Sequence, residues 1–322
     1  QDVSFEAINP DTVLSGKRAA AVRFGPLRPG WSRMVIDLNE PLVIAEAGIT
    51  TADRGAELRI VLEQATEDVF AARSGAPPDP GWEAATTFDP VIADQIARSG
   101  DFVVVLDPGH GGIDPGANRS GIKESDLMLI LAQEAAVKIN AVDGLQAVLT
   151  RSDDSFVPLA ARLTIARQVG ADLFVSLHAD ALEEDDAQGA AVYTLSEDGG
   201  EAASQRIVER HERGDMLAGV DLGGAEDRVA TALMDLARAE TGPAGARFAD
   251  ALVASMRREG VRLNVRPRRE GQFAVLTAAD FPSILLEAGF LSNAQDRANL
   301  ATYEGRAQIG RAIRDTALLM AR

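Results

Sequence analysis

Apolar and polar residues alternate in four short runs near the start of the chain. The runs lie at residues 20–24, 32–38, 42–45 and 57–62. Alternation with a period of two, interrupted by Gly and Pro, is typical of strands that bury one face in an antiparallel sheet. We therefore predict a small β domain over residues 1–72.

The stretch that follows has no hydrophobic period. Residues 74–81 read Ser, Gly, Ala, Pro, Pro, Asp, Pro and Gly. This composition is typical of a linker between parts that fold independently. We place a linker at residues 73–100 and a second domain at residues 101–322.

In the second domain, apolar strands alternate with amphipathic helices. Continuous apolar runs at residues 102–106 and 173–177 predict strands that are buried on both faces. Further strands are predicted at residues 147–150, 190–195 and 283–287, and helices at residues 127–139, 159–168, 247–259 and after residue 294. This alternation predicts an α/β fold, a mostly parallel sheet flanked by helices.

Residues 182–245 interrupt the strand and helix rhythm. They contain an acidic run, a Gly-rich stretch and two helix candidates, at residues 201–213 and 225–240. A segment of this length with its own helices is more often functional than a passive loop.

The composition narrows the possible chemistry. The 322 residues carry a net charge of −17, which argues against nucleic acid or an anionic membrane as a partner. No apolar run is long enough for a membrane helix. Cys is absent and three His are present, so any imidazole chemistry depends on His110, His178 or His211.

Two of the histidines occupy matched positions. His110 closely follows the predicted strand at residues 102–106, and His178 directly follows the strand at residues 173–177. The carboxyl ends of parallel strands open into the site crevice of an α/β sheet, so both imidazoles could reach one ion. One such His alone would more often be a satisfied polar residue, but two at equivalent positions favour a metal site.

Several carboxylates lie close in sequence to the two histidines or at the ends of predicted elements, where they could bind a metal or orient its ligands. Glu124, at the start of a predicted helix, could complete a set of two His and one carboxylate, the ligand number of a catalytic zinc site. Asp107, Asp114 and Asp180 are candidates to orient the imidazoles. Glu287 ends the predicted strand at residues 283–287 and fits a general base; its alternative is a helix cap.

Residues 101–322 resemble the zinc-dependent N-acetylmuramoyl-L-alanine amidases of the periplasmic cell-division type. The resemblance rests on five separated blocks, Leu106-Asp107-Pro108-Gly109-His110-Gly111-Gly112, Lys123-Glu124, Leu149-Thr150-Arg151-Ser152-Asp153-Asp154, Ser176-Leu177-His178-Ala179-Asp180 and Glu287-Ala288-Gly289-Phe290-Leu291-Ser292-Asn293. It implies His110, Glu124 and His178 as zinc ligands and Glu287 as catalytic base. It also implies hydrolysis, in the periplasm and for cell separation, of the amide between N-acetylmuramic acid and L-alanine of peptidoglycan.

The same resemblance extends to regulation. In the division-associated subgroup an inserted helix blocks the zinc site until an activator with a degenerate LytM-type peptidase domain displaces it. By position, Glu209 is the first candidate for the blocking fourth ligand, followed by Glu212 and His211. We expect the chain to be monomeric.

The N-terminal region is similar to the second half of an AMIN domain, a small β-sandwich that targets such enzymes to septal peptidoglycan. The similar segments are residues 33–38, Pro41 and residues 58–62. About 75 residues is short for that domain, which indicates that its first strands are missing or divergent.

Two other functions remain open from the sequence. A zinc peptidase acting on stem peptides would use the same ligand types on a different bond. A non-catalytic adaptor that binds septal peptidoglycan would keep the fold, but it would be expected to lose one of the four metal-site and catalytic residues, which are all present here.

Overall fold

The computed structural model describes residues 16–28, 31–52, 55–73, 96, 99–182, 187–196, 204–205, 208 and 228–321. Contacts between residues divide the chain into two compact units, Gln1–Pro78 and Asp79–Arg322.

The first unit contains two antiparallel hairpins. Strand β1 (Ala19–Arg28) pairs with β2 (Trp31–Leu38), and β3 (Leu42–Ala52) pairs with β4 (Gly55–Gln64). The four alternating runs of the sequence fall within these strands. A short helix that the sequence analysis did not predict, α1 (Glu67–Arg73), follows β4.

A six-stranded sheet forms the centre of the second unit. Its strands are β5 (Phe102–Pro108), β8 (Leu145–Leu149), β9 (Leu173–His178), β10 (Ala190–Leu195), β11 (Leu263–Gly271) and β12 (Ser283–Glu287). The strand order is β11-β10-β12-β9-β5-β8. Strands β8, β5, β9 and β12 run parallel, whereas β10 is antiparallel to β12 and parallel to β11. The predicted α/β class with a mostly parallel sheet is confirmed.

Helices cover the two faces of this sheet. They are α2 (Glu124–Asn140), α3 (Leu159–Gln168), α4 (Arg228–Arg258), α5 (Ala294–Ala301) and α6 (Tyr303–Met320), with a 3-10 turn at Ala274–Leu276. A hairpin of β6 (Asn118–Arg119) and β7 (Ile122–Lys123) precedes α2. None of the described helices combines the length and the apolar character needed to cross a lipid bilayer.

Each face of the sheet has its own hydrophobic core. One core joins Val104 and Leu286 of the sheet to Met128, Phe248 and Ile313 of α2, α4 and α6. The core on the opposite face is built from alternate residues of the same strands and includes the fully buried Phe174, Tyr193 and Leu285. Burial on both faces is why these strands lack polar alternation.

Helix α4 and strand β11 differ from the sequence prediction. The helices predicted at residues 225–240 and 247–259 form one helix, α4, although Pro243 lies inside it. Proline removes one backbone hydrogen bond and favours a break, but Pro243 is exposed and Phe248 and Leu252 of the same helix are fixed in the core. Strand β11, with its run of arginines, was not predicted; it lies at the edge of the sheet.

Part of the predicted insertion at residues 182–245 belongs to the sheet. Residues 190–195 form β10, which pairs with both β11 and β12. Residues 228–245 of the predicted insertion lie in α4.

Candidate metal centre

Three predicted ligands meet at the carboxyl ends of the inner strands β5 and β9. His110 follows β5, Glu124 is the first residue of α2, and His178 ends β9. Nε2 of His110 and Nδ1 of His178 each lie 3.1 Å from Oε1 of Glu124. Among the described residues, these three form a buried group whose ligand atoms all lie within 4.8 Å of one another.

Glycine makes this convergence possible. A Cβ at position 109 would lie 2.3 Å from Cε1 of His178. A Cβ at Gly116 would lie 2.6 Å from the His110 ring and 2.7 Å from Oε2 of Glu124. The backbone must therefore pass these positions without a side chain for the ligand rings to approach each other.

One of the three candidate aspartates orients an imidazole. Oδ2 of Asp114 lies 2.7 Å from Nδ1 of His110, which leaves Nε2 of that ring directed at Glu124. Oδ1 of Asp114 accepts a hydrogen bond from the Gly116 amide. Asp107 accepts hydrogen bonds from Thr150, Arg162 and Ser176, and Oδ1 of Asp180 accepts one from the Ala181 amide.

The charges and the burial of the site shift the pKa values of all three predicted ligands. Burial lowers the pKa of His110, but Asp114 and Glu124 outweigh it and hold this pKa well above the ordinary value. Burial raises the pKa of Glu124, but His110 and His178 outweigh it and hold that pKa well below the ordinary value. Burial is the main cause of the lowered pKa of His178. A proton on His110 thus occupies a place that a cation can take.

Glu287 lies beside the three predicted ligands. It ends β12 in register with His178 on β9, and none of its surface is exposed. Its Oε2 accepts a hydrogen bond of 3.0 Å from the Asp180 amide. Burial, followed by the charges of Asp180 and Glu124, raises its pKa well above the ordinary value. A buried carboxyl with a raised pKa is suited to proton transfer near neutral pH.

Two buried arginines near the site were not singled out from the sequence. Arg151 follows β8 and Arg162 lies in α3; their exposed fractions are 4% and 3%. Burial, followed by the nearby Arg162, lowers the pKa of Arg151 to about 10, so this side chain stays cationic at neutral pH. A signal was present for Arg162, because its spacing from Leu159 and Ala166 puts it on the inward face of its helix.

A cleft opens beside the two histidines. Its polar side holds His110, His178, Asp114 and Arg162. The remaining side is apolar and is lined by Phe156, Val157, Leu159, Val208, Phe273 and Val275. The cleft thus places an apolar wall beside a polar centre, the usual composition of a small-molecule site.

Val208 brings the predicted regulatory segment to this cleft. It lines the cleft together with His110 and His178 and packs, partly buried, against the second hydrophobic core. The candidate fourth ligand Glu209, and the alternatives His211 and Glu212, lie outside the described residues.

The donor set fits a zinc ion. Two imidazole nitrogens and one carboxylate oxygen are the borderline ligands that zinc prefers, and three protein ligands leave one position for a reactant. The hydrogen bond from His110 to Asp114 supplies the outer partner that metal-binding histidines usually have.

Comparison with known proteins gives one consistent family. The family described as N-acetylmuramoyl-L-alanine amidase matches residues 104–317. The amidase AmiA of Escherichia coli K12 is 37% identical over 66% of this chain and 74% of its own length. AmiC of Neisseria meningitidis is 31% identical over 97% of this chain and 79% of its own length. The solved amidase AmiC2 of Nostoc punctiforme, 28% identical, covers 69% of this chain and 97% of its own with a TM-score of 0.50.

Proposed function

Since the chain belongs to the N-acetylmuramoyl-L-alanine amidases, metal-dependent enzymes that act on peptidoglycan, we propose that it works with zinc held by His110, Glu124 and His178. The observation that carries this proposal is the convergence of Nε2, Oε1 and Nδ1 of these residues at one buried point. When bound there, zinc supplies a Lewis acid that polarises the scissile carbonyl and acidifies water. The bond cut is the amide between N-acetylmuramic acid and L-alanine.

Glu287 moves the proton in this reaction. Its carboxylate takes a proton from the attacking water, whose oxygen bonds to the lactyl carbonyl carbon. As the carbon–nitrogen bond breaks, Glu287 returns the proton to the leaving amine of L-alanine. The raised pKa of Glu287 supports both halves of this role, because neither taking nor returning the proton is then strongly unfavourable.

The role of Glu287 is tested by E287Q on purified, dye-labelled sacculi. Glutamine keeps the size of the side chain and cannot accept the proton, so dye release should fall by about 100-fold or more while zinc binding persists. E259Q is the matched control, because Glu259 pairs with Arg311 away from the centre. Dye release by E287Q at the wild-type rate would contradict the assignment.

We also propose that the segment between β10 and α4 blocks the resting site. Val208 lies in the cleft wall beside both histidines, so the next residue, Glu209, is close in sequence to a point of contact with the site. A carboxylate from Glu209 in the fourth zinc position would close the site to substrate. An activator of the LytM type would then be needed to withdraw the segment.

Removal of the blocking groups tests this autoinhibition. E209A should raise the basal rate of sacculus hydrolysis several-fold without an activator, and V208D should act in the same direction because a charge is costly in the apolar wall. E201A is the control within the same segment. Unchanged basal rates in well-folded E209A and V208D would contradict autoinhibition by this helix.

The remaining assignments follow from the substrate. We propose that residues 1–72 form a partial AMIN-like domain that targets septal peptidoglycan. Residues 73–100 link this domain to the amidase domain. The enzyme acts as a monomer in the periplasm during cell separation. Sacculi should retain residues 1–100, produced as a fusion to a fluorescent protein, more strongly than the fluorescent protein alone.

A further inference from the structure

The side chain of Arg151 contacts two segments that carry metal ligands. Its Nε donates to the Pro108 carbonyl and its Nη2 to the Gly109 carbonyl, both at 2.9 Å, just before His110. The same Nη2 donates to the Ser125 carbonyl at 2.8 Å, just after Glu124. One guanidinium therefore fixes the position of the His110 loop relative to the first turn of α2.

Arg162 holds the other side of the His110 loop. Its Nη1 donates to the Pro108 carbonyl at 2.8 Å and its Nη2 to the His110 carbonyl at 2.9 Å. His110 has a φ of 59°, a left-handed conformation that is uncommon for a residue with a side chain. Three consecutive carbonyls are thus held by two arginines at a turn that would not persist unsupported.

The third ligand joins the network through Asp107. This carboxylate pairs with Arg162 at 2.7 Å and accepts hydrogen bonds from Thr150 at 2.6 Å and Ser176 at 2.8 Å. Ser176 lies on β9 two residues before His178, and Asp107 and Arg162 are almost fully buried. The segments of all three ligands are therefore tied to one buried polar network.

We propose that Arg151 is a positioning residue of the metal centre, which sets the separation of His110 and Glu124 before the ion arrives. The inference rests on the proposed metal site. Lysine cannot replace arginine in this role, because an ammonium is a single point of charge, whereas the guanidinium reaches carbonyls on two segments with a rigid fork of donors. Buried charge without such a role is often replaceable by apolar residues at no loss of stability.

The test is R151K in the full-length chain, stripped of metal and titrated with zinc against a chromophoric chelator. Zinc affinity should fall about 10- to 100-fold, the usual effect of losing an outer partner of a metal site. The visible spectrum of the cobalt(II) form should change as well, because the angle between His110 and Glu124 is no longer fixed. Neither readout depends on catalysis.

R306K is the matched control. Arg306 is also buried and donates to the Leu300 carbonyl at 2.8 Å. It pairs at 2.8 Å with Glu134, which lies on α2 well beyond the first turn that carries Glu124. R306K should lower the midpoint of thermal unfolding and leave zinc affinity and the cobalt spectrum unchanged.

The outcomes separate this proposal from the metal site itself. Equal zinc affinity and identical cobalt spectra for wild type and R151K would overturn the positioning role alone. Failure of the wild type to bind zinc would overturn the metal site and this role with it. If R151K does not fold, R162K replaces it with the same expected loss, because Arg162 grips the same loop; unchanged affinity in R162K would then overturn the proposal.

Discussion

At position 109 the absence of a side chain decides whether two ligands can meet. The Gly109 amide donates to the Leu177 carbonyl, which holds the start of the His110 loop beside the end of β9. The ring of His178 occupies the space that a Cβ would need. The metal centre is thus set by backbone proximity as well as by its ligands.

G109A should therefore damage the centre more than a surface substitution does. The Cβ would lie 2.3 Å from Cε1 of His178, so that ring would have to leave its present position beside Glu124, and we expect zinc affinity to fall by at least about 10-fold. G242A is the control, because nothing lies within 4 Å of a Cβ at that helical position. Zinc titration of both variants gives the answer, and wild-type affinity in G109A would refute the steric account.

Zinc binding should also release a proton. The pKa of metal-free His110 lies well above its ordinary value, so this residue is protonated at neutral pH, whereas zinc needs the neutral ring. The pKa of His178 is lowered, so that ring is already neutral and releases none. Zinc affinity should thus rise with pH until the pKa of His110 is reached.

Calorimetry at pH 7 in buffers of different ionisation heat measures this release directly. We expect about one proton per zinc for the wild type and less for D114N, which loses a charge that holds the proton on His110. A binding heat that is the same in every buffer would show that His110 is neutral before zinc binds.

Sequence reasoning singled out the candidate ligands and the candidate base but not the side chains that support them. Metal binding and proton transfer use His and Glu side chains, and four such residues lie at or close to the ends of predicted strands or helices. They are His110, Glu124, His178 and Glu287, so their positions in the sequence single them out. Arg151 lies in one of the five similar blocks and Arg162 on the inward face of its helix, but their partners are largely backbone carbonyls, which residue type does not reveal. Only the folded chain brings Ser125 and Gly109 to one guanidinium.

At the scale of elements, hydrophobic period predicted most strands and helices of the second unit. The helix at 159–168 was predicted with the bounds that the structure gives it. Edge strand β11 escaped prediction because Pro267 and several arginines interrupt its apolar pattern, as is common where a strand must not pair further. The prediction of two separate helices at residues 225–240 and 247–259 was wrong, because packing outweighs the local preference of Pro243 in α4.

The turn between α5 and α6 offers a test at this scale. Oγ1 of Thr302 accepts a hydrogen bond from the Gly305 amide and caps α6. T302A should lower the free energy of unfolding by about 1 kcal/mol, because loss of the Thr302 hydroxyl leaves the Gly305 amide without its acceptor.

The mid-helix threonine of α3 is the matched control. Thr164 is exposed and donates to the Ala160 carbonyl of its own helix. T164A should therefore change the free energy of unfolding by only about a few tenths of a kcal/mol. Urea unfolding followed by circular dichroism compares the two. Equal effects of T302A and T164A would refute the capping role.

At the scale of the whole molecule, the chain combines an α/β catalytic unit with a separate β unit. Alternating strands and helices were enough to predict the layers, because a sheet buried on both faces leaves a distinct apolar signature. The antiparallel direction of β10 relative to β12 was not predicted, because pairing between strands that lie far apart in the chain leaves no mark on the local apolar pattern. The net charge of −17 bears on partners and had no part in locating the site.

The identity of the bond that is cut tests the central claim most directly. The zinc-loaded chain, with E209A as a form freed from inhibition, is incubated with a defined muropeptide, and the products are weighed by mass spectrometry. We predict two products, a muramic acid glycan with a free lactyl carboxylate and an intact stem peptide that begins with L-alanine. Fragments cut within the stem peptide, or no cleavage by either form, would contradict the account.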